Sequence, residues 1–520
     1  MMRLLRKLPL VRRLSHDDRE RGVVLVLTAL SLVILLGMAA FAVDLGWLYY
    51  NQLKVEKAAE AAALAGVVHM PLPGCGDPVL GTEAYATALE LAFSQGYEHG
   101  ANATVTPSKG ANCNQLSVNV ATTVDTFFMR VFGRDSFKIN ETATAEQLPP
   151  LKIGSDESYL GEDPTLGGAR LRQFYLAISG KDRGKGSGDA YASWWLDGGS
   201  LNFERRSPAY WYAVEVVPGS ASEGHSVQIQ VYDGVTHDTD GDGNNVGGDG
   251  PAEDWQYGSG ATAGAAGGYA SDPGSKNVTV FKVYAPDATP NQWKDNSVQL
   301  CYADYHSRGS GSYESGAKNA WDTICTIPNA SAGIYVVEVS VQNDTNVING
   351  FSLRTLVGGS TSNDTQVYGL GAMSLWQTDT GSNPVFKIAR LDEVYAGAEL
   401  VISLWDVSDI GSSSSGTLQF DNPNAAAPIN NIDCKMQVRF DSGGVKSPYA
   451  PDDGRANCYL TFNTGDYNND WLDFKFTVPP DYTCSGDDCW VYVSYGVSAG
   501  ITDRTTWTAS VNGQPIHLVP

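Results

Sequence analysis

The chain has 520 residues, a formal net charge of −23 and eight cysteines, with 42% hydrophobic residues. It is too long for one ordinary domain of ~100 to 200 residues, so two or three units are expected outside any membrane segment. Its acidity disfavours a nucleic-acid partner, because the phosphates would be repelled.

Residues 1–21 depart from that balance. They hold seven basic residues (Arg3, Arg6, Lys7, Arg12, Arg13, Arg19, Arg21) against Asp17, Asp18 and Glu20, a net of +4, so the remainder carries −27. Gly22 to Val43 follows as GVVLVLTALSLVILLGMAAFAV, 22 residues without a charge. At ~1.5 Å rise per residue this helix spans roughly 33 Å, enough for a bilayer core. It also exceeds the about 7 to 15 apolar residues of a cleaved secretory signal. The basic flank before it and the aromatic segment DLGWLYY (Asp44 to Tyr50) after it predict a single-pass membrane protein with a cytoplasmic N-terminus.

The helical pattern continues through NQLKVEKAAEAAALAGVV, so one rod is expected from about Arg21 to Val68, ended by Pro71, Pro73 and Gly74. A second helix is expected at Thr82 to Tyr97, and alternating stretches at Ala103 to Val105, Gln115 to Val124 and Phe137 to Ala145 read as strands. Residues 44–150 thus form an α+β module on the membrane helix. Leu148, Pro149 and Pro150 make a linker, after which helical periodicity disappears. Tyr210 to Val217, His225 to Tyr232, Asn277 to Tyr284, Gly333 to Val341 and Glu399 to Trp405 alternate and are β-branched or aromatic, the pattern of antiparallel β-sandwiches. The cluster from Val357 to Asp364 suggests a boundary between two such domains, 155–360 and 361–520.

Cys75, Cys113, Cys301, Cys325, Cys434, Cys458, Cys484 and Cys489 all lie beyond the anchor, in the oxidising compartment that the orientation implies. Eight cysteines allow 105 pairings, so spacing does not fix the connectivity; because each consecutive pair sits within one expected unit, the set favoured is Cys75 with Cys113, Cys301 with Cys325, Cys434 with Cys458 and Cys484 with Cys489. Zinc would call for CxxC spacing, which is absent.

The sharpest chemical motif is DTDGDGNNVGGD. Asp238, Asp240 and Asp242 occupy positions 1, 3 and 5 of a 12-residue loop, Gly243 the tight sixth, Asn244 the seventh and Asp249 the twelfth. Alternating oxygens of such a loop can converge on one Ca2+ ion, and a Gly at the sixth position permits the turn. The flanks are a strand and a Gly-rich stretch, so calcium here would be structural, on a β-scaffold. Enzyme chemistry is not expected. No HExxH is present, and the GVSAG at Gly496 to Gly500 lacks the following helix that a nucleophile elbow requires. The DxSxS metal motif fails at Asp406, Val407, Ser408, where Asp409 and Ile410 follow. Trp194, Trp195, Trp211, Trp255, Trp376 and Trp490 could line a sugar platform or fill the core.

The segment Arg21 to Gly66 combines an Arg-Gly start, the apolar span, VDLG at Val43 to Gly46 with Tyr following, and the Ala-rich AAEAAALAG at Ala58 to Gly66. It resembles the N-terminal module of the Tad (tight adherence) Flp-pilus assembly proteins, the TadE/TadG-like group, over residues 20 to about 146. The resemblance implies a cell-membrane protein that assembles or anchors Flp-type pili. Cleavage after Gly22 is not expected, since prepilin peptidase substrates carry Glu where this chain has Leu27. The stripe Ala58, Ala59, Ala62, Ala63, Ala65 and Gly66 would let another helix approach closely, so pilus-assembly or pilin-like partners are expected through the N-terminal helix. Two functions follow: a structural component of a Flp/Tad-type pilus or surface system, or a calcium-dependent adhesin or glycan-binding protein on the same anchor.

Overall fold

The computed structural model describes residues 17–72, 75–162, 174–196, 199–238, 254–256, 275–308, 321–342, 347–376, 385–407, 415–441, 444–451, 458–497, 504–512 and 515–519. Strong helix formers carry one rod, α1 (Asp17–Gly66), through both the apolar span and the Ala-rich extension. From Val23 to Val43 every side chain is exposed except half-buried Ala40. By length and composition this stretch is long and apolar enough to cross a membrane.

Past Asp44 the rod gains a partner face. Val55, Ala59, Ala62 and Ala63 are fully buried against α2 (Glu83–Ser94), whose Ala84, Ala88 and Ala92 supply the matching small surface, and against Val105, Leu116, Val118 and Val120 of the sheet. The sheet consists of β1 (Ala103–Lys109), β2 (Gln115–Asp125) and β3 (Ser136–Gln147), all antiparallel. The alanine stripe is therefore covered by a helix of the same chain. Gly66 shows how close the packing is: a Cβ there would lie 2.5 Å from Leu116 Cδ2 and 2.9 Å from the Ala84 carbonyl oxygen.

The fourth strand of this sheet comes from far along the chain. Ile516–Val519 pairs antiparallel with β3, Ile516 opposite Gln147 and Val519 opposite Thr144. Leu148 N donates to Pro515 O at 2.8 Å, so the chain leaves and re-enters the module at one point. Everything between is an insertion between the third and fourth strands.

That insertion is a β-sandwich of two eleven-stranded antiparallel sheets. Strands that precede and follow residue 361 share both of them. In one sheet Thr365–Leu370 pairs with Tyr210–Val216, and the two-residue strand Lys152–Ile153 joins Thr365–Leu370 to Val385–Arg390. In the other, Tyr175–Ser179 sits between Val347–Val357 and Ala372–Trp376. The chain changes sheets after Val357 and changes back at Gly371, whose φ of +75° allows the abrupt turn that separates two strands by one residue. One large core spans strands from Leu151 to Ala509 and is rich in large aromatics, among them Tyr210, Tyr212, Trp405, Trp471 and Trp507, with a smaller separate cluster of Ala213, Val336, Tyr368 and Leu370. The expected strands at 210–217, 225–232, 277–284, 333–341 and 399–405 are all present, within two residues at their starts.

The cysteines form four disulfides between consecutive members: Cys75–Cys113, Cys301–Cys325, Cys434–Cys458 and Cys484–Cys489. Two of them pin the sheets together. Cys301 and Cys325 lie on strands of opposite sheets at one end of the sandwich, and Cys434 with Cys458 joins the sheets at the other.

Candidate functional site

Asp44 is the one buried residue in a long run of exposed ones, and its surroundings define the site. The carboxylate accepts three backbone hydrogen bonds from the tip of the β2–β3 hairpin: Phe127 N to Oδ1 at 2.8 Å, Phe128 N to Oδ2 at 2.9 Å and Met129 N to Oδ2 at 2.6 Å. These amides open a 3-10 turn, Met129–Phe132, which has no preceding residues to bond and so presents unsatisfied donors. Burial pushes the Asp44 carboxyl up, but the amides of Met129, Phe127 and Phe128 and the Arg130 guanidinium outweigh it and hold it below the ordinary carboxylate value.

Length explains why the tip reaches Asp44. From Asp44 to Gly66 the helix rises about 33 Å. An eleven-residue strand such as β2 extends about 35 Å, and Leu116 at its far end meets Gly66. The hairpin therefore lies along the whole stalk and ends where the apolar span begins.

The tip is closed on itself. Thr126 N donates to Asp135 O at 2.9 Å, Thr126 Oγ1 to Arg134 O at 2.6 Å, Gly133 N to Arg130 O at 3.0 Å, and Arg130 Nη2 to Thr126 O at 2.6 Å. With its backbone so engaged it turns apolar side chains outward: Val131 is 80% and Phe132 79% exposed, and Phe127 and Phe128 are about half exposed. Trp47 of α1 packs on Phe127 with ring centroids 5.4 Å apart, and Tyr50 stands beside Trp47. The aromatics expected at the membrane surface from sequence thus gain a second cluster, which the run FFMRVF (Phe127 to Phe132) could have signalled.

The other sequence-derived site residues are not gathered here. Asp238 ends the strand Val227–Asp238, opposite Val347, while Asp240, Asp242, Asn244 and Asp249 lie outside the described residues. Among the described residues, one group of acids and thiols is close enough to share an ion, Asp392 with Cys484 and Cys489, and its two sulfurs are joined to each other. The tryptophans are dispersed. Trp490 is fully buried and donates from Nε1 to Asp156 Oδ2 at 3.0 Å. Trp211 lines a cleft of about 800 Å³ with Trp293, between the linker Leu148 to Pro150 and the sandwich. Trp194 lies beneath the cations of Lys181 and Arg205.

The decisive comparison falls on α1. Residues 22–69 match the family model for Tad, putative Flp pilus-assembly TadE/G-like. This segment is similar to the Tad family over those residues. The match ends where the 3-10 turn Val67–His69 closes the rod, so the module's family signature comprises the anchor, Asp44 and the alanine face, and the sandwich lies outside it. No curated protein matches the chain. Solved structures align only loosely. The tandem CBM22-1–CBM22-2 domains of Paenibacillus barcinonensis Xyn10C share 10% identity over 56% of this chain and 79% of theirs, with a TM-score of 0.13. The M60 catalytic domain with CBM51-1 and CBM51-2 of Clostridium perfringens ZmpB shares 10% over 78% of this chain and 42% of its own, at 0.14. The Faustovirus major capsid protein shares 7% over 81% and 80%, at 0.12. None of these bears on the fold, which rests on the strand pairings above.

Proposed function

We propose that this chain is a membrane-anchored structural component of a Flp/Tad-type pilus or surface-assembly system, structural rather than catalytic. Residues 1–21 stay in the cytoplasm and the β-rich ectodomain stands outside it. The observation that carries the reading is the Tad match on a helix whose first half is apolar and exposed and whose second half is packed into its own module. The basic flank before Gly22 and the disulfides after it support the orientation. The apolar tip at Phe127 to Phe132 is tied to the same level of the helix as Asp44, so it rests in the outer interface of the bilayer, and Asp44 satisfies the amides that would otherwise meet lipid bare. Anchor and tip together fix the tilt of the ectodomain. The motif from Asp238 to Asp249 would hold a structural Ca2+ ion in this reading.

Deleting the gene in its native host should remove or thin Flp-type pili, and the full chain supplied in trans should restore them. Normal piliation in the deletion strain overturns the reading.

A further inference from the structure

Among the described residues of the sandwich, Lys185 is the most buried cation, with a side chain that is 0% exposed. Its Nζ lies 2.5 Å from Glu204 Oε2 and also contacts Asp441 Oδ1. Two indoles enclose the amine: the Trp405 ring centroid is 3.6 Å from Nζ and the Trp471 centroid 5.7 Å. These tryptophans face each other on the paired strands Glu399–Trp405 and Asp470–Thr477. Each also fixes a member of the cluster. Trp405 Nε1 donates to the Lys185 carbonyl at 2.9 Å, and Trp471 Nε1 donates to Glu204 Oε2 at 3.0 Å.

The loop that carries Lys185 is equally constrained. Gly188 lies so close to the strand Arg504–Asn512 that a Cβ would come within 1.9 Å of the Arg504 carbonyl oxygen. Thr506 Oγ1 donates to Gly188 O at 2.9 Å and accepts from Ala190 N at 2.8 Å. Asp441 arrives from a remote part of the sequence, just past the strand Cys434–Phe440, and is partly open to solvent.

A buried ion pair is a weak source of stability, because desolvation offsets the attraction. What the arrangement does supply is an amine held against a carboxyl group, with a second, separately oriented carboxylate in reach of the same nitrogen. Those are the parts of an acyl transfer: nucleophile, electrophile and proton carrier, with positions fixed before reaction. We propose that Lys185 and Asp441 join in an intramolecular amide bond, with Glu204 as the proton carrier.

The step balances without a further reagent. One proton passes from the Lys185 ammonium to the Asp441 carboxylate, leaving a neutral amine beside a neutral acid. Nζ adds to Cγ of Asp441. Glu204 takes the second proton from nitrogen and returns it to the departing hydroxyl, so that an N–C bond forms, a C–O bond breaks and one water leaves through the solvent-open side of Asp441. Glu204 is assigned the carrier role because the Trp471 indole holds its Oε2 in place; both carboxylates are partly open to solvent, Glu204 at 31% and Asp441 at 22%, so the leaving water has a way out from Asp441.

The test is peptide mass mapping of the full chain, purified from membranes, with disulfides reduced and alkylated before trypsin. An amide on Lys185 blocks cleavage there, so residues 184–205 should appear joined to residues 440–446, at the sum of the two masses less one water. Residues 440–446 recovered free from the wild type, or Lys185 joined to Glu204 within 184–205, overturn the proposal. Lys185→Arg should release 440–446 completely. Glu204→Gln should cut the linked fraction at least tenfold in a chain that still migrates as folded protein; undiminished linkage in that variant removes Glu204 from the step.

Discussion

Cys301–Cys325 and Cys434–Cys458 each close the same span, a sequence separation of 24, at opposite ends of the sandwich. Replacing either pair by alanines releases loop entropy worth about 3.4 kcal/mol to the unfolded chain. Cys484–Cys489, with a separation of 5, restrains it by only about 2 kcal/mol. If the two sheets and their shared core unfold as one unit of roughly 360 residues, the unfolding entropy is large, and either double variant lowers the same transition by about 5 °C. If the regions before and after residue 361 unfold separately, each about half that size, each variant moves only its own transition, by about 10 °C. Differential scanning calorimetry of the full chain in detergent distinguishes these outcomes by the number of endotherms and by the shift. The shared sheets predict one endotherm that responds to both pairs. Two endotherms that each answer to one pair refute the shared core, and an unmoved transition refutes the entropic assignment.

At the membrane exit, Asp44→Asn should release the hairpin tip. Hydrogen exchange at the amides of Phe127, Phe128 and Met129 should speed up at least tenfold, and unchanged protection would sever the tip from Asp44. A spin label at Phe132→Cys in the full chain, reconstituted in phosphatidylcholine–phosphatidylglycerol vesicles, should be relaxed by oxygen more than by a water-soluble nickel chelate, with the opposite order at exposed Phe203→Cys; nickel dominance at both sites would lift the tip out of the interface. The Asp156 carboxyl is pushed up by burial but held below its ordinary value by Lys387, Trp490 and Arg390. Its folded-state value is depressed, so the stability it contributes is present above its unfolded value of about 3.9 and is lost as pH falls through the folded value. Asp156→Asn should therefore flatten the acid limb of a stability–pH curve, and superimposable limbs would contradict this. Calorimetry on the full chain should detect Ca2+ binding that Asp240→Ala with Asp242→Ala abolishes, and no heat in the wild type would end the calcium reading.

The elements legible in the sequence are those set by local chemistry. The rod from Asp17 through Gly66 follows from uninterrupted helix formers, and the strands follow from alternation of β-branched and aromatic residues. What alternation does not carry is strand order. The strand Ile516–Val519 is four residues long, and nothing in IHLV points to Thr144 through Gln147 as its partner, because the information lies in the docking of two distant surfaces. The alanine stripe was readable as a close-approach face, and Ala84, Ala88 and Ala92 repeat at the four-residue spacing that marks its partner within the same chain. Asp44 was visible as part of VDLG. Its role was not, since it depends on amides more than eighty residues away whose exposure arises only once the hairpin turns. Lys185 stands in an ordinary Gly-Lys-Gly loop, and only the fold surrounds it with Trp405 and Trp471.

The insertion geometry decides how load on the ectodomain would travel. The sandwich is held at both of its ends, through Leu148 and Pro515, which meet at a single hydrogen bond on the edge of β3. A force on the sandwich therefore reaches the α+β module through two neighbouring strands of one antiparallel sheet, whose ladder runs along the helix stalk, and through the hydrogen bonds of His69 with the Ala288 carbonyl and of Asn291 with the Met70 carbonyl. To separate sandwich from anchor, the strand Ile516–Val519 must peel from β3, and the chain then still hangs from β3 itself, which is paired along its length to β2. Within the sandwich, the disulfides at either end oppose the parting of the two sheets. An amide between Lys185 and Asp441 would add to them, closing a ring that contains most strands on both sides of residue 361. If the chain is the fixed pilus or surface component proposed for it, this connectivity would let tension pass to α1 while the sheets stay paired, a demand that a freely diffusing binding module would not face.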